Sequence, residues 1–172
     1  MKIVRKMICM VSMTVIFVML MSSAVFATSQ SKSKAIPGNQ GTIVSNAYRN
    51  TFGTASGHTM QWDYQVSAEY KGAKAVSKIR TSFVCSVSMR FSGSVSIGIS
   101  NGGATASSSA SWQTIQSGSY RENINGSTMA WFASNMIASP KSDYRTGTAA
   151  TVNEARVTLK NDPVSYPVNA GV

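Results

Sequence analysis

Between Thr59 and Gln116 apolar and polar residues alternate, and the parity of the alternation changes at two short turns. Even positions first carry the apolar set, Met60, Trp62, Tyr64, Val66, Ala68 and Tyr70, while Thr59, Gln61, Asp63, Gln65, Ser67 and Glu69 take the odd ones. Successive side chains of a strand point to opposite faces, so this pattern predicts a strand with one dry side. After Lys71-Gly72-Ala73-Lys74 the apolar residues move to odd positions: Ala75, Ile79, Phe83, Cys85, Val87, Met89, Phe91, Val95, Ile97 and Ile99. A two-residue hairpin at Gly72-Ala73 explains the flip, and glycine at its first central position suits a type II′ turn. The expected register sets Tyr70 opposite Ala75, Val66 opposite Ile79 and Trp62 opposite Phe83.

A second flip follows Asn101-Gly102, a strong short hairpin signal, after which Ala104, Ala106, Ala110 and Trp112 are even. Ile99 should then face Ala104, Ile97 should face Ala106, and Phe91 should face Trp112. The fold expected is all-β: an antiparallel meander in a sandwich-like single domain, with Trp62, Phe83, Phe91 and Trp112 together on the dry side. The segment 75–99 would be about 80 Å long if straight, against about 40 Å for a compact domain of this size. A bend at Ser92-Gly93-Ser94 resolves the mismatch and passes the strand from one sheet to another.

Further along, Asn125-Gly126 is another turn, and Thr128 to Ile137 reads as a buried strand or a short helix closed by Pro140. Alternation returns over 148–160, with Ala155, Val157 and Leu159 on one face. Pro163 and Pro167 confine the tail to a sheet edge or a loose end.

Lys2, Arg5 and Lys6, the apolar run Met7 to Met21, and the small residues Ser22, Ser23, Ala24 and Ala27 form a secretory signal over 1–27. Residues 28–41, rich in Ser, Lys, Gln and Gly, read as a flexible lead-in, and 42–172 as the single β domain. The chain after residue 27 has 145 residues and a charge near +7, which points to anionic partners outside the cell. Cys9 lies in the signal, so Cys85 is alone in the remainder and no disulfide within it is expected.

Catalytic and cofactor motifs are missing. The six carboxylates Asp63, Glu69, Glu122, Asp143, Glu154 and Asp162 are scattered singly, so neither a paired acid/base nor a cation cage is indicated. In the expected register Cys85 faces Met60, with His58, the one histidine, diagonally across. A Cys/His enzyme would need that pair and an orienting third group that the sequence does not supply. Candidate binding residues are Lys71, Lys74, Lys78 and Arg80 around the first turn, and Arg90, Ser92, Ser94 and Ser96 on the polar face of the second hairpin. That face also carries Ser86 and Ser88, with Ser107, Ser109, Ser111 and Gln113 on the other arm.

The expected function is that of a secreted, extracellular or wall-associated cationic protein, not an enzyme and without a cofactor. Its expected partner is an anionic cell-wall polymer, a glycan or a membrane surface, and not nucleic acid. The alternative is a β-hairpin pore-forming or bacteriocin-like protein, because Val87 to Ser100 and Gly103 to Gln116 have the length and alternation of membrane-barrel arms.

Overall fold

The computed structural model describes the backbone of residues 28–50, 53–56, 59–99 and 102–172, and side chains outside 53–60, 91–104, 107–110 and 139–147. It is all-β. The eight strands are β1 (Thr28–Ala35), β2 (Thr42–Arg49), β3 (Gly53–Ser56), β4 (Thr59–Lys71), β5 (Val76–Ile99), β6 (Gly102–Asn123), β7 (Met129–Leu159) and β8 (Ser165–Gly171). They join antiparallel in the order β1-β2-β4-β7-β5-β6, with β3 added to β4 and β8 to β7.

This continuous ladder folds over on itself into two packed layers. Ile137 pairs with Gln61 of β4 on one edge and with Gly98 of β5 on the other. In a flat sheet Phe132 and Phe83, five residues to one side of that pairing and fifteen to the other, would stand about 65 Å apart. Their rings instead stack at 5.2 Å. Both β5 and β7 must therefore reverse between these points, where register shifts fall at Ser88/Met89, Phe91/Ser92 and Ser92/Val95. This is the bend expected at Ser92-Gly93-Ser94. One layer is β1, β2, β4 and the first part of β7; the other is β8, the last part of β7, β5 and β6.

The dry faces meet between the layers in two apolar clusters. One centres on Trp62, Tyr64, Phe83, Cys85, Val87, Met89 and Met136; the other on Ile43, Tyr70, Ile79, Val157 and Leu159. The fully buried polar residues Ser45, Thr81, Thr151 and Asn153 also lie in the interior. Asn153 of β7 reaches across the layers: its Nδ2 donates to Ser45 Oγ (3.0 Å), Asn46 O (3.1 Å) and Ser67 O (2.9 Å), and its Oδ1 accepts from Thr81 Oγ1 (2.5 Å).

Several expectations are corrected. Gly72-Ala73 does not join paired strands. β4 has both edges occupied, by β2 and β3 on one side and β7 on the other, so β5 lies in the opposite layer. The pairings Tyr70 with Ala75, Val66 with Ile79 and Trp62 with Phe83 are therefore not formed. The parity flip is real, because both strands turn their dry sides to one interior, but facing layers produce it as well as a hairpin does. Gly72 also lacks the positive φ of a type II′ turn. Its small size serves Tyr70, since a Cβ there would overlap the phenol oxygen, which donates to Gln40 O.

The second hairpin exists, with the turn itself at Asn101 outside the described residues. Ile99 pairs with Gly102, Ile97 with Ala104 and Val95 with Ala106, two residues tighter than expected. Farther down, Phe91 pairs with Ser111 while Ser92 pairs with Ser109, so Ala110 is an extra residue in β6. Such a bulge reverses the faces beyond it. Trp112, expected inside, is 53% exposed, and Ile115 takes the buried position at 4%.

Residues 28–35 are not a loose lead-in but the edge strand β1, paired along its length to β2. Pro140 does not end its segment either; β7 runs through it, opposite Val95 and beside the register shift that marks the bend. The tail behaves as expected, forming the edge strand β8 with Pro167 in it. The signal at 1–27 lies outside the described residues.

Candidate binding face

Residues at even positions of β5 up to Arg90, of β6 from Trp112 onward and of β7 from Thr148 onward point away from the interior, because their odd neighbours Phe83, Cys85, Val87, Ile115, Thr151 and Asn153 are buried. This outer face is arranged in rows fixed by the ladder. Glu122, Arg80 and Arg156 form one row, Tyr120, Ser82 and Glu154 the next, then Gly118, Val84 and Val152. Gln116, Ser86 and Ala150 follow, then Thr114, Ser88 and Thr148, and finally Trp112 and Arg90 at the bend.

The charged end is internally compensated. Lys78 Nζ lies 3.7 Å from Glu122, and Arg156 donates to Glu154 at 2.6 and 3.0 Å. The Arg156 hydrogen bonds hold the Glu154 carboxyl below its usual range, with the charges of Arg156 and Arg80 adding to them. Arg80 donates Nε–H to Ser82 Oγ at 2.8 Å, and its guanidinium sits 3.9 Å from the centre of the Tyr120 ring. The ring is thereby anchored on Arg80 while staying 54% exposed. A cleft of about 370 Å³ runs between Lys78, Arg80, Glu122, Glu154, Arg156, Thr158 and Ser165. Beside it a shallower trough of about 440 Å³ lies over Val84, Gly118 and Val152, walled by Tyr120 and Asn169. Gly118 keeps that floor low, since a Cβ there would meet Phe83 O at 2.8 Å.

The eight candidate binding residues therefore fall into different settings. Lys78 and Arg80 belong to the outer face, whereas Lys71, 3.6 Å from Glu69, and Lys74 belong to the crossing between layers. Arg90 is exposed at the bend. Ser92, Ser94 and Ser96 stand opposite Ser109, Ser107 and Thr105 in the ladder, so the hydroxyl residues of the two arms are register partners there. Below the bulge the partners differ from expectation, with Ser111 opposite Phe91 and Gln113 opposite Met89.

Cys85 does not face Met60; its ladder partners are Ser117 and Thr151. The thiol is fully buried, 3.5 Å from Thr151 Oγ1, and burial pushes its pKa up to about 11, with the Thr151 contact opposing. A thiol that keeps its proton at neutral pH is a poor nucleophile. His58 lies outside the described residues. Among the described residues no three His, Cys, Asp or Glu side chains group as a metal site would require.

Two features of the face were not read from the sequence. The exposed aromatics Trp112 and Tyr120 mark its two ends, and no charged residue occurs in the thirty positions between Arg90 and Arg121.

No family model matches the chain, and no curated protein matches it. Among solved structures, one named "Pore forming protein" aligns over 84% of this chain and 90% of its own length, at 11% identity and a TM-score of 0.25. So distant a likeness carries nothing about function.

Proposed function

We propose that this protein acts without catalysis, outside the cell, by laying the outer face of β6, β5 and β7 on an anionic or glycan-bearing surface of the envelope. The observation that supports this reading is the exposure of Trp112 and Tyr120 on the same flat face as Thr114, Gln116, Ser86 and Ser88. Aromatic rings supply contact area at little entropic cost, and hydroxyls and amides between them hydrogen-bond a polar polymer. The excess of cations over acids in the chain supplies attraction that weakens with salt.

Sedimentation with purified cell walls tests it. Trp112→Ala and Tyr120→Ala should each leave stability within about 0.5 kcal/mol, as expected for exposed positions. Each should weaken wall binding at least about fivefold, the effect of losing roughly 1 kcal/mol of contact. Wall binding unchanged in both variants removes this face from the function.

A second reading is favoured by the uncharged run between Arg90 and Arg121, which forms most of the β5–β6 hairpin. Charges on a lipid-facing strand are costly, so a hairpin free of them is suited to enter a bilayer. Dye release from anionic vesicles supports this reading, and vesicles that stay sealed at saturating protein refute it.

A further inference from the structure

We infer that the trough beside Tyr120 is a subsite for an uncharged sugar unit carrying an acetamido group, presented by a glycan that lies across the strands. This rests on the surface-binding reading above and names the ligand class within it. Two neighbouring rows of the ladder build the trough. Tyr120, Ser82, Glu154 and Asn169, one residue each from β6, β5, β7 and β8, form its wall, and Gly118, Val84 and Val152 form its floor. Strands at roughly 4.8 Å spacing set Tyr120 and Asn169 about 14 Å apart, at opposite ends of that wall. The volume of about 440 Å³ falls within the roughly 300–1,000 Å³ of small-ligand sites.

Tyr120 and Arg80 together separate the trough from the charged cleft. Arg80 lines the cleft, Tyr120 lines the trough, and the two are packed together at 3.9 Å. Contact with Arg80 holds the ring in place before a ligand arrives, so less side-chain entropy remains to be lost on binding.

The composition of the trough selects the occupant. Val84 and Val152 lie side by side on adjacent strands, 41% and 48% exposed, and give an apolar floor open to water. Among the described residues no cation lines the trough, and its carboxylate, Glu154, is engaged by Arg156. A phosphate or uronate would meet a like charge there and find no cationic partner. What the trough offers instead is an aromatic ring, two valines, and the Asn169 amide with the Ser82 hydroxyl. An acetamido sugar has the complement of each: a C–H face for the ring, a methyl for the valines, and an amide and hydroxyls for the polar groups.

Titration of the purified chain with tri-N-acetylchitotriose, followed by amide NMR spectra, should give saturable shifts at Val84, Gly118 and Val152. Cellotriose, which has the same linkage without the acetamido groups, should bind at least about fivefold more weakly. Tyr120→Ala should weaken trisaccharide binding at least about fivefold, whereas Tyr120→Phe should keep it, because the ring makes the contact. Trp131→Ala removes an exposed ring from the outer side of the other layer and should leave binding unchanged. Absence of saturable shifts at the trough, equal affinity for cellotriose, or parental affinity in Tyr120→Ala overturns the inference. Wall sedimentation judges the surface reading separately: walls that bind through Tyr120 while the trisaccharide does not would overturn the sugar subsite and leave the face in place.

Discussion

Asn153→Ala should be among the most damaging single changes that leave the apolar clusters intact. The side chain is fully buried, and its amide lies within 3.1 Å of Ser45 Oγ, Asn46 O and Ser67 O in the opposite layer. Its Oδ1 accepts a hydrogen bond from Thr81 Oγ1–H, which has no access to water. Two amide hydrogens and one accepted hydroxyl amount to about three hydrogen bonds, each worth about 1 kcal/mol net. Leaving the buried Thr81 hydroxyl without its acceptor adds a desolvation cost, while Ser45 Oγ–H keeps its bond to Asn153 O, so a loss of about 3–4 kcal/mol is expected. That is a large part of the roughly 5–15 kcal/mol of an ordinary domain, and corresponds to a fall in Tm of about 10 °C. Urea unfolding followed by tryptophan fluorescence reads it as a lower midpoint at unchanged m-value. Ser45→Ala in the Asn153→Ala background should cost less than Ser45→Ala alone, by at least about 0.5 kcal/mol. A loss below about 1 kcal/mol for Asn153→Ala, or strict additivity in that cycle, would refute the view that this residue ties the layers together.

Three further outcomes follow from the same packing. The Cys85 thiol titrates near 9 when exposed and at about 11 in the fold, so the folded state holds its proton longer and the linked stability is complete below pH 9. It is lost as pH rises from 9 through 11, and Cys85→Ala should flatten that part of the stability profile; an identical profile in the variant would contradict the burial argument. Gly72→Ala should lower stability by about 1–3 kcal/mol, because the new methyl must displace the Tyr70 phenol from its bond to Gln40 O, and a neutral effect by thermal melting would show that the loop yields. Deleting Ala110 lets the Phe91–Ser111 pair follow directly on Ser92–Ser109, with Trp112 still outward and Ile115 still buried, so the variant should melt close to the parent and bind little of a dye such as ANS; strong ANS binding would contradict the reading of Ala110 as the extra residue.

The alternation of residues 60–70, 79–89 and 151–159 by itself determined which side of each strand is dry, since that depends only on the two-residue period of an extended chain and on the cost of leaving Trp62, Phe83 or Val157 in water. The need for a bend near Ser92-Gly93-Ser94 was also legible, as a length too great for the domain. Neighbours were not. Whether β5 follows β4 in one sheet or covers it from the facing layer leaves the same parity, and only the occupation of both β4 edges decided for the second arrangement. The position of Trp112 rested on one extra residue among Ser107-Ser108-Ser109-Ala110-Ser111, where every side chain is small and no alternation marks the slip. The binding face inherits that dependence: its hydroxyls were visible as a run of serines, but the rings at its two ends were placed outside by the bulge and by the stacking of Arg80 on Tyr120, contacts between residues forty apart that no local pattern encodes.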